Sequence, residues 1–126
     1  MKTQFSKIKE ELQHFCGTEM FFKIPLIGTR FTDGLKYLAE EAQCFWLITD
    51  ASVIAKSLSN KSHFITIDFK RLSAIEREEK QCEAIINYSD GNGNLYETHR
   101  YKITDFPLDE LRLFFVNDTL MLPGEY

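Results

Sequence analysis

The chain has 126 residues, a formal net charge of −4 and a sequence pI near 5.4. One domain with a sizeable core fits that length, and 44% hydrophobic content with 11 Phe excludes a disordered chain. The acidic balance disfavours non-specific attachment to nucleic acid or anionic lipid. The longest apolar runs, Cys44–Ile48 and Leu113–Val116, are too short to cross a bilayer. A secretion signal is not expected either, since MKTQFSKIKEELQHF carries charges where such a signal is apolar. Three widely spaced cysteines, Cys16, Cys44 and Cys82, argue for reduced thiols in a cytoplasmic protein with a single domain over residues 1–126.

Phe5, Ile8, Leu12 and Phe15 recur at helical spacing, predicting a first helix over Thr3–Phe15 that Gly17 terminates. Met20–Arg30 reads as an edge strand or ordered loop, because Pro25 removes a backbone donor and Gly28 permits a turn. Thr32 or Asp33 can cap the next helix, which carries Leu35, Leu38, Ala39 and Ala42 on one side. Helical spacing resumes after the apolar run at Cys44–Ile48 and continues to Leu58, giving two helices or one kinked helix.

The period then changes. His63–Leu72 alternates as a strand, and the charged run Glu76–Lys80 is expected to be a solvated connection. Cys82–Tyr88 and Leu95–Ile103 read as two strands joined by Asp90-Gly91-Asn92-Gly93-Asn94, whose residues tolerate the left-handed angles of a hairpin turn. Phe106-Pro107 is expected to open a short helix burying Leu108, Leu111, Phe114 and Phe115. Asn117-Asp118 turns the chain into a terminal strand at Thr119–Leu122. The predicted class is α+β: a mainly antiparallel sheet of about four strands packed on one side by three to four helices.

Four segments carry a family resemblance. They are Phe31-Thr32-Asp33-Gly34 followed by Lys36-Tyr37-Leu38-Ala39-Glu40-Glu41-Ala42, Asp90–Asn94, Thr104-Asp105-Phe106-Pro107-Leu108, and the ending Leu122-Pro123-Gly124-Glu125-Tyr126. Their order and spacing, from Thr18 to the C-terminus, resemble a family of small uncharacterised bacterial proteins common in cyanobacteria and in phage- or plasmid-associated genes. Ser52–Glu79 departs from that pattern. The resemblance implies no activity for particular residues. It does imply a mobile-element setting, in which a host-takeover or anti-defence role fits.

Motifs with chemistry are few. Asp90, Asn92 and Asn94 occupy the first three ligand positions of a calcium loop, but Leu95 stands where glycine is needed and Tyr101 where the bidentate glutamate is needed. A hairpin tip is therefore preferred. No Cys-x-x-Cys, His-Glu-x-x-His, Gly-x-Ser-x-Gly or glycine-rich phosphate loop occurs, so no metal and no cofactor is expected. His14 and Cys16 are adjacent in sequence but cannot complete a zinc site, and Cys44 reads as a buried structural thiol.

The densest cluster is on the helix after Thr32. Asp33, Tyr37 and Glu41 share one face, and Lys36 lies one turn from Glu40. These five residues are the candidate partner-binding site, against the plain alternative of a capped helix with a solvated charged face. Phe21, Phe22, Phe31, Tyr37, Tyr88, Tyr96 and Tyr101 can build a recognition surface. Lys70, Arg71, Arg77, Arg100 and Lys102 can form a basic strip, but interleaved glutamates favour a mixed-charge sheet face. The expected role is a non-catalytic protein-binding accessory or inhibitor module. A small enzyme with a carboxylate or Cys/His site and a nucleic-acid-binding sheet are the alternatives.

Overall fold

A computed structural model describes residues 7–8, 10–12, 21–24, 27–102 and 104–126. Residues 7–8 and 10–12 are helical (α1), with Ile8 buried and Leu12 packed against the core. The rest of the helix expected over Thr3–Phe15, together with Cys16 and Gly17, lies outside the described residues.

The segment expected to be a single edge strand is a hairpin of two, β1 (Phe21–Ile24) and β2 (Thr29–Thr32). Gly28 closes it at φ +76, donating its N–H to the Ile24 carbonyl. Thr32 then caps α2 (Asp33–Glu41), its hydroxyl accepting from the Leu35 amide, and Leu35, Leu38 and Ala39 are buried. Gln43, at φ 51, breaks the chain before α3 (Phe45–Ser57). These are two separate helices. Leu47, Ile48, Ala51 and Ala55 line the buried side of α3.

β3 (Phe64–Arg71) leads into α4 (Ala74–Lys80), so the solvated charged connection expected at Glu76–Lys80 is helical. Ser73 and Glu76 form a reciprocal capping box there, and none of the helix is buried, so its charges remain solvated. β4 (Ala84–Ser89) and β5 (Leu95–Tyr101) form the expected hairpin about Asp90–Asn94.

A second correction concerns the segment after Pro107. It forms β6 (Glu110–Val116), not a helix. Leu108, Leu111, Phe114 and Phe115 fit a helical face, but Leu113 and Phe115 also alternate with Arg112 and Phe114. Pairing with β3 on one side and β7 (Thr119–Met121) on the other satisfies the backbone of this alternation. Asn117 and Asp118 make the tight turn between β6 and β7 at φ 52 and 57. A 3₁₀ turn spans Pro123–Glu125.

The sheet is larger than about four strands. It has seven, in the order β1-β2-β7-β6-β3-β4-β5, and it is mixed, because β2 and β7 run parallel while the other neighbours are antiparallel. The β1–β2 hairpin and β6 account for the difference, since the terminal strand at Thr119–Leu122 is among those expected. Ile65, Ile67, Phe69, Ile86, Leu113, Phe115 and Leu120 form the inner face beneath α2 and α3. Strand alternation therefore sends Phe64, Thr66, Asp68, Arg112 and Phe114 to the outer face.

Candidate functional site

On the outer face the register sets Thr66 beside Phe114 and Asp68 beside Arg112. Phe64 and Phe114 pack diagonally, ring centroids 4.8 Å apart. Tyr126 meets both edge-on, at 5.2 Å from Phe64 and 5.9 Å from Phe114. The result is one half-exposed aromatic cluster, with Tyr126 72% exposed. Next to it, Asp68 accepts from Arg112 Nε at 2.7 Å and from Nη2 at 3.3 Å. That forked contact holds the guanidinium against Asp68 and keeps its proton tightly bound.

The β4–β5 tip folds back over this face. Asp90 organises it: Oδ1 accepts from the Asn92 and Asn94 amides, and Oδ2 accepts from the Asn94 side chain at 2.6 Å. These bonds hold the Asp90 carboxyl below its ordinary value of 3.8. Gly91 lies at φ +83 so close to the sheet that a Cβ there would stand 2.9 Å from Thr66 Oγ1. Between the tip and the sheet runs an open groove of about 450 Å³, lined by Ser62, Phe64, Thr66, Asp90, Gly91, Asn92, Arg112 and Phe114.

Tyr126 is placed by the residue before it. The Glu125 side chain is buried at the start of α2, where its carboxylate accepts from the Thr32 hydroxyl at 2.6 Å, the Gly34 amide at 3.2 Å and the Leu122 amide at 3.0 Å. A carboxylate there also complements the positive end of the helix. Gly34 is obligatory at this approach, since a Cβ would meet Glu125 Oε1 at 2.7 Å and Leu122 Cδ1 at 2.8 Å. Two of the resemblance segments, Phe31–Gly34 and Leu122–Tyr126, are thus halves of one contact.

The expected cluster on α2 is only partly a cluster. Lys36 and Glu40 form an exposed i,i+4 pair at 3.6 Å, and the Lys36 ammonium also lies over the Phe22 ring at 4.8 Å. Asp33 accepts from the Gly34 amide. Tyr37 is half-buried, and burial, with the nearby charges of Glu41 and Glu11, pushes its phenol up. Glu41 is exposed. None of the five residues lines the groove.

Of the basic strip, Lys70 pairs with Glu76 and Arg71 with Asp109, while Arg77 donates its Nε–H to the Leu72 carbonyl. Arg71 also donates to the Phe106 carbonyl, which anchors the Thr104–Leu108 segment while Phe106 packs on Phe69. Cys44 is buried, and desolvation, reinforced by Asp105, pushes its thiol up to about 12. Such a thiol is a poor nucleophile. Among the described residues, no group of three or more His, Cys, Asp or Glu is placed to hold a metal ion, and no helix is long and apolar enough to cross a membrane.

Sequence reasoning missed Phe64, Phe114, Tyr126, Asp68 and Arg112 as a set. Alternation in His63–Leu72 placed Phe64 and Asp68 on one face, and was the available signal. Reading Phe114 and Arg112 as helical concealed the other half.

No curated protein and no solved structure matches the chain significantly. Residues 6–126 match a family of unknown function (DUF6876), which extends the likeness through α1 and across Ser52–Glu79, and the chain belongs to that family.

Proposed function

We propose that this protein is a non-catalytic binding module whose contact surface for a partner protein is the outer-face groove. One observation carries the reading: Phe64, Phe114 and Tyr126 form a half-exposed aromatic cluster beside an open groove, rimmed by the Asp68–Arg112 pair and the Asp90–Asn92 tip. Rigid aromatic rings bury large areas with little loss of rotamer freedom, and a satisfied ion pair at the rim orients a partner without carrying chemistry. The groove is shallow and its carboxylates are already engaged by Arg112 and by the tip amides, which suits recognition better than acid–base work. The motif resemblance adds a setting, an accessory factor or inhibitor encoded by a mobile element and directed at a host defence protein.

Site-directed photo-crosslinking in a lysate of the native host tests this reading. A photoreactive phenylalanine at position 92, on the groove rim, is expected to give one dominant protein adduct that Phe114→Ala abolishes. The same group at position 40 reports on the acidic face of α2. Adducts from position 40 alone would move the contact to Asp33, Lys36, Tyr37, Glu40 and Glu41, and absence of adducts from both would remove the binding reading.

A further inference from the structure

β5 closes one end of the sheet, and among the described residues no strand pairs with its free edge. It is seven residues long against four in β1, the other end strand, and none of its residues is buried. A free row of backbone N–H and C=O groups of that length is a template for another strand. Edges that stay single are commonly short, broken by proline or lined with lysine. The sequence Leu95-Tyr96-Glu97-Thr98-His99-Arg100-Tyr101 holds neither proline nor lysine. Its polar groups are instead ordered about Thr98.

Glu97 and His99 lie on the inner face, since their cross-strand partners Tyr88 and Ile86 are core residues. Thr98 lies on the outer face, where its hydroxyl donates to Asn87 Oδ1 at 2.7 Å. Glu97 Oε2 and His99 Nε2 are 3.0 Å apart, and both side chains are half-exposed. Two copies of β5 related by a two-fold axis perpendicular to the sheet pair antiparallel with each face continuous. A residue then meets only residues an even number of positions away in the copy. An axis at Thr98 sets Thr98 against the copy's Thr98 and, on either side of it, Glu97 against the copy's His99. Each carboxylate then has one imidazole on its own strand and a second directly across. The two neighbouring registers set Glu97 against Glu97 or His99 against His99, like against like, which is the unfavourable arrangement. Tyr96 is skipped in the ladder with β4, so the bulge there ends regular pairing next to Glu97 and keeps the contact short.

We propose that the β5 edge is a self-association surface, on which two copies of the chain pair antiparallel through Glu97–His99 with Thr98 on the two-fold axis. The sheet then runs from one copy into the other. Polar side chains on an edge disfavour an arbitrary strand, and here their order complements this strand, so the same residues exclude other partners and select a second copy. The surface is separate from the outer-face groove and does not depend on the function proposed for that groove.

Light scattering of the intact protein across a concentration series is expected to show a reversible monomer–dimer equilibrium. Glu97→Lys should weaken the dimer roughly tenfold, because two symmetry-related pairs are lost together. Adding His99→Glu should recover most of that loss, since opposite charges again face each other. Oxidative crosslinking in a Cys16→Ser background reads the register, Cys44 and Cys82 being buried. Thr98→Cys should form an intermolecular disulfide, its Cα lying about 5 Å from its counterpart in the copy. Arg100→Cys should not, because four residues of offset separate the two Cα atoms by about 13 Å. Phe114→Ala, in the outer-face aromatic cluster, should leave the dimer unchanged. A chain that is monomeric at every concentration overturns the proposal and leaves the edge to another protein's strand or to solvent. A dimer that Phe114→Ala dissolves, or in which Arg100→Cys crosslinks as readily as Thr98→Cys, overturns it as well. Light scattering uses the unmodified protein, so its result holds even where a variant does not fold.

Discussion

The Thr32 hydroxyl donates a 2.6 Å hydrogen bond to Glu125 Oε1 across 93 residues of chain. Thr32 also caps α2, so one side chain ends β2, begins a helix and holds the C-terminal turn. The aromatic cluster depends on this contact, because the turn that buries Glu125 also lays Tyr126 against Phe64 and Phe114.

Removing that carboxylate should destabilise the whole domain. Glu125→Ala leaves the Thr32 hydroxyl and the Leu122 amide without their acceptor, at roughly 1–3 kcal/mol for each buried group. A total loss of roughly 2–6 kcal/mol is expected in urea denaturation, with Glu125→Gln losing less because one acceptor oxygen survives. Gly34→Ala should lose about 1–3 kcal/mol by overpacking against Glu125 and Leu122. Wild-type midpoints for Glu125→Ala would show that the contact is incidental.

Such a contact is beyond the reach of sequence pattern. Local chemistry made the Asp90–Asn94 hairpin, the Thr32 cap and the β3 alternation legible, because each is decided within a few residues. β6 was ambiguous because Leu108, Leu111, Phe114 and Phe115 also suit a helix, and only its non-local pairing with β3 and β7 resolves the tie. β1 and β2 have four residues each, too few to establish a period. The groove needed three things together: the face of β6, the fold-back of the hairpin tip and the seating of Tyr126. The charged residues of α2 were conspicuous in sequence, yet Lys36 and Glu40 are largely engaged with each other and with Phe22.

The two tip glycines should respond differently to alanine. Both have positive φ, +83 at Gly91 and +98 at Gly93, so each substitution carries backbone strain of about 1–2 kcal/mol. Gly91 alone faces the sheet, with Thr66 Oγ1 2.9 Å from the added methyl, whereas Gly93 has nothing within 4 Å. Gly91→Ala is therefore expected to be the more destabilising, and Thr66→Ala should recover part of the difference in a double-mutant cycle. Equal losses at both positions, with no recovery, would mean that the tip does not press on Thr66.

The Asp68–Arg112 pair should contribute little to stability despite its forked geometry. Arg112 is 59% exposed and Asp68 35%, so solvent screens the attraction. A double-mutant cycle of Asp68→Asn and Arg112→Gln should give a coupling of about 0.2–1 kcal/mol that shrinks in high salt. A salt-independent coupling well above that range would show that the pair is dry and structural, which would weaken its proposed role at a binding rim.

Alkaline pH should destabilise the domain through three acids on or beside the inner face, Cys44 and Tyr88 buried and Tyr101 half-buried. Burial, reinforced by Asp105, lifts the Cys44 thiol from 9.0 to about 12. Burial lifts the Tyr88 and Tyr101 phenols well above 10.0, with Asp50 adding to both. Each group holds its proton more tightly in the folded chain than in the unfolded one. Their contribution is therefore fully present below the unfolded values and is lost as pH rises beyond them toward the folded ones. Urea midpoints should be steady near pH 8 and fall progressively above about pH 9–10. Tyr88→Phe removes one of these protons, so its stability should fall less steeply than that of the wild type over the same range. The substitution also removes a buried hydroxyl without a partner, so at neutral pH it should be neutral or stabilising. Parallel pH profiles for the two proteins would mean that Tyr88 ionises in the folded state as readily as in the unfolded one, contrary to its complete burial.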